Sequence, residues 1–165
     1  MAWIRSNKKG TGGSGGITAV SPLIPKMTSS TTPSGVASAS NEYNSDYSAY
    51  KAFDGNFTSL WATSSITASG QWIKYDFGEQ KRIVAFQYLN RYEENYAVGS
   101  FTFQGSNDNN VWTDLHTESD LDVGDCKFVI LSNPAAFRYV RWYINSNAHG
   151  PTGTGFVELQ VYEAA

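Results

Sequence analysis

The chain has 165 residues, of which 41% are hydrophobic and 15% aromatic, so it can form one domain with a substantial core. The formal net charge is −3, but residues 1–41 hold four basic and no acidic side chains, which leaves 8 basic and 15 acidic residues in the rest. Such an acidic body argues against a nucleic-acid partner, because phosphate binding needs clustered Lys and Arg. The single cysteine, Cys126, excludes an intrachain disulfide.

The N-terminal part of the chain differs in composition from the rest. Residues 1–9 form a short peptide with an apolar centre at Trp3, and two interpretations remain open: a solvated tail, or an anchor that docks onto a larger protein assembly. Residues 10–16 are Gly, Ser and Thr, the composition of a flexible linker. Residues 17–29 are predicted as an extended lead-in, and residues 30–165 as the compact domain.

Targeting and membrane segments are not expected. No apolar run has the length of a signal-peptide core or of the roughly 18 to 20 residues that span a bilayer. A protein of this kind would leave a cell by lysis, by a non-classical route or as part of a larger particle. The expected location is therefore extracellular or virion-associated.

Beyond the lead-in, apolar and polar side chains alternate in short runs. Residues 47–53 predict one short helical turn. Predicted strands then cover residues 71–77, 82–89, 100–105, 111–115, 127–131, 138–144 and 156–162. Clusters of Asn, Asp, Ser, Gly and Pro separate them. Many short strands between such turns are typical of an all-β antiparallel sandwich or barrel.

A turn at Asp54 and Gly55 brings several oxygen atoms into a short stretch. Asp54, Asn56 and Thr58 offer side-chain oxygens at alternate positions. Calcium takes six to eight oxygen ligands, so this cluster suits it. A capped surface turn without a metal explains the same spacing, and the residues alone leave both interpretations open.

Catalysis is not predicted. His116 follows an apolar run and is interpreted as a polar residue at a strand edge, while His149 lies in a loop of Gly, Pro and Asn and is a candidate ligand contact. Glu93 and Glu94 are adjacent carboxylates, whereas glycosidases place two carboxyl groups across a cleft. We therefore expect a protein that is not an enzyme.

Aromatic residues concentrate in the predicted loops. Tyr43 precedes the Asp-Gly turn, and Tyr92 and Tyr96 share a polar loop with Arg91 and Asn95. Sugar rings present C–H faces to aromatic planes and hydroxyls to bidentate polar groups. A loop that combines Tyr, Arg and Asn is therefore suited to carbohydrate. Alternatively, some of these tyrosines only cover the bases of the loops.

Several motifs occur in the order known from one family. They are VASAS (residues 36–40), AYKAFDGN (49–56), QWIKYDFG (71–78), GSND (105–108), RYVR (138–141) and ELQVY (158–162). Over about residues 30–163 the chain resembles the discoidin-like, coagulation-factor type C domain, whose fold is shared by galactose-type carbohydrate-binding modules. The resemblance implies an eight-stranded antiparallel jelly-roll β-sandwich with binding loops at one end.

The resemblance also implies a structural calcium ion near the Asp-Gly turn. Its side-chain ligands would be Asp54, Asn56, Thr58 and Glu158, with backbone carbonyls nearby completing the shell. Glu158 points away from the apolar face of its predicted strand, so it would join the last strand to the early turn.

For a sugar, the resemblance implies a site around Arg91 and Asn95, with an aromatic platform from Tyr96, Tyr92 or Tyr43. Ala62 stands where galactose-binding relatives often carry a His, which opens the site to a different glycan. Lipid-binding relatives use exposed apolar spikes in their first loops. The corresponding loops of this chain offer Tyr, Asn and Ser, so membrane insertion is not expected.

These observations predict a non-catalytic carbohydrate-binding domain that adheres to cell-surface glycans. The alternative is a phage virion or tail accessory protein that docks onto a larger assembly through residues 1–9. The two functions are compatible with each other.

Overall fold

The structure, a computed structural model, describes residues 19–64, 66–150 and 152–165. The predicted N-terminal peptide (residues 1–9) and linker (residues 10–16) lie outside the described residues. Anchoring through that peptide therefore stays a prediction.

The described part of the chain is an antiparallel β structure with short 3-10 helices. Its eight strands are β1 (Val20–Pro22), β2 (Val36–Ala39), β3 (Trp61–Ala62), β4 (Trp72–Asn90), β5 (Val98–Ser106), β6 (Thr113–Glu118), β7 (Cys126–Asn147) and β8 (Gly155–Ala164). The 3-10 helices cover Ser45–Tyr47, Ala49–Ala52 and Glu94–Tyr96. The all-β prediction is confirmed, and a short helical turn lies within the predicted 47–53 segment.

Two long strands build both layers of the sandwich. Residues 72–76 of β4 pair with β2 and with β7, and residues 139–147 of β7 pair with β5, which pairs with β6; we call this layer the front sheet. Residues 85–90 of β4 pair with β8 and with residues 126–130 of β7; this layer, which includes β1 and β3, is the back sheet. The eight-stranded antiparallel sandwich predicted from the sequence is therefore present.

The sequence predicts two separate strands in place of β4 (residues 71–77 and 82–89) and two in place of β7 (residues 127–131 and 138–144). In the structure each pair is one continuous strand. The β4–β7 pairing continues past the turn residues through a register shift between Asp76 and Lys81. Gly78 has a φ of 78°, a conformation that glycine adopts without strain, and its N–H donates to Asp76 Oδ1 at 2.7 Å. A turn signal inside a ladder can therefore mark a bend rather than an end.

Aromatic rings fill the space between the two sheets. Phe86 of the back sheet stacks on Phe103 of the front sheet with ring centroids 4.3 Å apart. Trp142 tilts against Phe103 at 5.0 Å, and all three side chains are buried. In β8, Leu159 and Val161 belong to this core.

The lead-in and the last strand are joined. β1 pairs with the end of β8, and Ile24 and Met27 are buried in the core.

Among the residues that the structure describes, none forms a helix of the length and apolarity that crossing a membrane requires.

We expect Phe86→Ala to lower the free energy of unfolding by about 3 to 5 kcal/mol, because the change leaves a cavity between the sheets. Urea denaturation monitored by tryptophan fluorescence measures this loss. Ile130→Ala is the matched control, since Ile130 pairs with β4 but is 59% exposed, and it should change stability by less than about 0.5 kcal/mol. Equal losses in the two variants would contradict the role assigned to Phe86.

Candidate functional site

Three loops meet at one end of the sandwich, and we call this end the rim. They are residues 91–97 between β4 and β5, residues 119–125 between β6 and β7, and residues 148–150 with 152–154 between β7 and β8. An isolated bridge joins Ala97 to Gly155, which ties the first loop to the start of β8.

Asn90, a fully buried residue at the end of β4, holds the base of the rim together. Its Nδ2 donates to the carbonyls of Val98 and Asp122, both at 2.8 Å. Its Oδ1 accepts the N–H groups of Arg91 at 2.9 Å and Val98 at 3.0 Å. One side chain thus closes the 91–97 loop and attaches the 119–125 loop to it.

Arg91 is held in a fixed orientation. The side chain lies over the ring of Tyr96, with the guanidinium carbon 4.7 Å from the ring centroid, and Nε donates to the carboxylate of Glu93. Within the described residues, Glu93 is the only hydrogen-bond acceptor of this side chain, which is 10% exposed. A guanidinium has five N–H donors in a planar fork, so this orientation suits it to a ligand with adjacent oxygens.

Two glycines make room for the tyrosines of the rim. A Cβ on Gly153 would lie 2.7 Å from the Tyr96 ring, and one on Gly124 would lie 3.0 Å from the Tyr92 ring. Both glycines have positive φ. Tyr92 and Tyr96 are exposed, so part of each ring faces solvent.

The remaining predicted sugar-site residues also lie near the rim. The carbonyl of Asn95 accepts from Asn147 Nδ2 at 3.1 Å, and the Asn95 residue is exposed. His149 Nε2 lies 2.8 Å from Asp122 Oδ1. That hydrogen bond is the largest cause that raises the pKa of His149 and lowers the pKa of Asp122, and the N–H of Val123 further lowers the pKa of Asp122.

Tyr43 belongs to the neighbouring loop. Its N–H donates to the carbonyl of Ala62, which pairs with Gly155 at the start of β8. Its exposed ring meets Tyr47 edge to face, with centroids 5.5 Å apart. The structure therefore places the six predicted residues on connected loops, and their roles toward a ligand stay predictions.

Three residues that organise the rim, Asn90, Asp122 and Asn147, were not singled out from the sequence. Asp122 contacts both Asn90 and His149, and Asn147 holds the loop of Asn95. The available signal was weak, because Asn and Asp are common in loops where they bond the backbone. Only the folded arrangement shows which loops they connect.

A second site lies at the Asp-Gly turn. The N–H of Gly55 donates to both carboxylate oxygens of Glu158, at 3.3 and 3.2 Å, so a direct hydrogen bond joins the turn to β8. Glu158 is only 3% exposed. Burial, and second the charge of Asp54, raise the pKa of Glu158 to about 9. Two carboxylates therefore share a site that disfavours negative charge.

The other three predicted metal ligands, Asp54, Asn56 and Thr58, bond within the turn. Asp54 Oδ1 accepts the N–H of Asn56 at 2.8 Å, and Asp54 Oδ2 accepts the hydroxyl of Ser59 at 2.6 Å. Asn56 Oδ1 accepts the N–H of Thr58 at 3.1 Å and its hydroxyl at 2.8 Å. These bonds fix the turn and keep the oxygens of Asn56 and Thr58 close to Asp54 in the chain.

The donors at this site fit a hard divalent cation. A cation would neutralise the buried Glu158 and Asp54, whose charges otherwise oppose each other. In the described segments, no group of three or more His, Cys, Asp or Glu side chains converges. A cation here would therefore also need neutral carbonyl, amide or hydroxyl oxygens, which calcium accepts.

Comparison with known proteins gives a consistent picture. The family model for the F5/8 type C domain matches residues 36–159. Chitosan-binding module 1 of the chitosanase/glucanase from Paenibacillus sp. IK-5 is 26% identical, with a TM-score of 0.70, and the match covers 87% of this chain and 99% of that one. The comparison with curated proteins found no match.

Two further solved structures share the fold. Chitosan-binding module 2 of the same Paenibacillus enzyme, in complex with chitotriose, is 23% identical with a TM-score of 0.68, covering 86% of this chain and 99% of that one. The family 32 CBM of Clostridium perfringens NanJ, in complex with galactose, is 21% identical with a TM-score of 0.68, covering 78% and 93%.

With divalent ions removed by a chelator, we expect the free energy of unfolding to fall as the pH rises from 4.5 towards 9. The folded state keeps the Glu158 proton that the unfolded state releases, so the slope should reach about 1.4 kcal/mol per pH unit. Urea denaturation between pH 5 and pH 8 measures it. Glu158→Gln should remove this slope and Glu163→Gln should keep it; identical slopes in all three proteins would refute the assignment.

Proposed function

Because this chain belongs to the F5/8 type C domain family, we propose that it binds carbohydrate and does so without catalysis. The observation that carries the proposal is the Arg91–Tyr96 pair at the rim, a planar set of donors beside an exposed ring. The chitotriose and galactose complexes of domains with this fold support a sugar as the ligand. Among the described residues, the two histidines contact carboxylates, His116 with Glu118 and His149 with Asp122, and neither contacts a Ser or Cys nucleophile.

Two kinds of contact would bind a sugar at the rim: hydrogen bonds to its hydroxyls and stacking of an aromatic ring on its C–H face. Arg91 would donate to neighbouring hydroxyls, with Asn95 adding a side-chain amide from the same loop. An exposed ring, Tyr96 or Tyr92, would lie against the C–H face of the sugar. A contact this small must offset the entropy of ordering the ligand, so we expect a Kd of about 0.1 to 1 mM per site.

Weak single sites act effectively when several are linked, because each further contact becomes intramolecular. This property suits adhesion to repeated glycans outside the cell, the setting that we propose. Docking onto a larger assembly or a virion through residues 1–9 falls outside the described residues and stays a prediction.

Arg91→Ala should abolish binding on a glycan array, because it removes both the donor fork and the cation over Tyr96. Arg82→Ala is the matched control, since Arg82 is an exposed residue of β4, the strand that leads into the loop of Arg91, and lies far along β4 from the rim. Melting temperatures of both variants check that folding is intact. A folded Arg91→Ala variant with unchanged array binding would exclude the rim as the sugar site.

We also propose that the Asp-Gly turn binds Ca²⁺ as a structural ion. Asp54 and Glu158 would supply negative oxygens, and Asn56 and Thr58 neutral ones. The ion would balance the negative charge of the buried Glu158 carboxylate. By binding both the turn and Glu158, it would also stabilise the attachment of the turn to β8. The buried carboxylate and the nearby charge of Asp54 support this role.

Calcium at 100 times its Kd should raise the free energy of unfolding by about 2.7 kcal/mol. Asp54→Asn should remove most of this gain, because it deletes one of the two carboxylates. Asp46→Asn changes an exposed acidic residue of the nearby 3-10 helix and is the control. Denaturation with Ca²⁺ and with chelator makes the measurement, and equal stabilities of the unmodified protein in both would remove the calcium proposal.

A further inference from the structure

The outward face of the front sheet carries cations set among aromatic rings. The register places Lys74 of β4 opposite Arg141 of β7, and Arg141 opposite Gln104 of β5. In the next row, Trp72 lies opposite Tyr143. These side chains alternate with core residues of the same strands, so they point away from the core and remain partly exposed.

Arg141 is the centre of this surface. Its guanidinium carbon lies 4.0 Å from the ring centroid of Trp112 and 5.0 Å from that of Tyr143. Its Nε donates to Gln104 Oε1 at 2.6 Å. The side chain of Gln104 in turn donates to Asp114 Oδ1 at 2.5 Å. The guanidinium is therefore held by two rings and one neutral amide.

Lys74 repeats this arrangement one strand away. Its Nζ lies 4.8 Å from the ring centroid of Trp72 and donates to Asn109 Oδ1 at 2.7 Å. Trp72 is the cross-strand neighbour of Tyr143, which connects the two groups. We call the set Trp72, Lys74, Trp112, Arg141 and Tyr143 the aromatic–cationic face.

The two cations of this face keep their charge available. Within residues 19–64, 66–150 and 152–165, neither Lys74 nor Arg141 forms an ion pair, whereas the neighbouring Arg138 pairs with both oxygens of Asp76 at 2.9 and 3.0 Å. Partial burial lowers the pKa of both Lys74 and Arg141. Unpaired, partly desolvated cations attract an anion more strongly than fully hydrated ones.

We propose that the aromatic–cationic face binds an acidic polysaccharide, a chain of pyranose rings that carry carboxylates. The aromatic rings suit the C–H faces of the sugars, the two cations suit the carboxylates, and the amides of Gln104 and Asn109 suit the hydroxyls. These two cations lie on a body that carries 8 basic and 15 acidic residues after residue 41, so they form a local positive feature that suits a polymer of spaced negative charges. A nucleic acid, with its dense phosphates, would need more clustered Lys and Arg.

This surface is separate from the rim and does not depend on it. Arg91 and Tyr96 lie in the 91–97 loop, whereas the aromatic–cationic face lies on the strands of the front sheet and the 107–112 loop. The two proposals can therefore fail independently, and one set of variants distinguishes them.

Affinity electrophoresis in gels containing polygalacturonate tests the proposal directly. Polygalacturonate should retard the protein, while its fully methyl-esterified form, with the same rings but no charge, should not. Arg141→Gln and Lys74→Gln should each weaken binding about tenfold, the effect of losing one charge-assisted hydrogen bond. Arg82→Gln, which removes an equal charge from an exposed site elsewhere on β4, should leave binding unchanged.

Thermal melts identify any variant that fails to fold, and the partly exposed Lys74 provides a test that does not disturb the Trp112 stack. No retardation of the unmodified protein would overturn the proposal, as would equal binding of the methyl ester. Binding lost in Arg91→Ala but kept in Arg141→Gln would assign the polysaccharide to the rim instead. Stronger retention by single-stranded DNA than by polygalacturonate would identify a nucleic-acid surface and also overturn the proposal.

Discussion

The pairing of β4 with β7 constrains every other part of this molecule. The two strands run together through the front sheet and the back sheet, and the register changes where they pass from one to the other. Because of this continuity, the end of β4 at Asn90 and the two ends of β7 all reach the rim. The same ladder places Lys74 beside Arg141 on the surface of the front sheet that faces away from the core. One pairing thus positions the loops that we assign to sugar and the face that we assign to an acidic polymer.

The regular elements could largely be predicted from the sequence, because burial on one side of a sheet leaves a period of two in the chain. Ile73 and Tyr75 of β4 are buried as that period requires. That β4 continues as one strand past its turn residues could not be predicted in the same way. Gly78 gives a turn signal that is indistinguishable from the end of a strand, and only the partner strand shows that the ladder continues. β8 also departs from simple alternation, since a register shift brings Phe156 into the core.

The two sites differ in how much of them the chain reveals locally. The Asp-Gly turn is a short continuous segment, so its oxygens could be recognised, and only the distant Glu158 required the family resemblance. The predicted rim residues Arg91, Tyr92, Asn95 and Tyr96 are also close together in the chain, and their roles toward a ligand stay predictions. The organising contacts of the rim join residues far apart in sequence, such as Asn90 with Asp122. The aromatic–cationic face depends entirely on cross-strand register, which no local pattern encodes, because a shift of one residue would turn every side chain to the other side.

The antiparallel pairing of β1 with β8 gives the domain a polarity. Val20 lies opposite Ala164, and the N–H of Ala165 donates to the carbonyl of Ala19 at 3.1 Å, so the backbone enters and leaves the fold side by side. β8 begins next to the rim at Gly155 and ends about 30 Å away along its ten residues. A tether, tag or neighbouring domain fused next to Ala19 or Ala165 would therefore be attached at the end of the sandwich opposite the rim. The rim loops would then point away from the attached group.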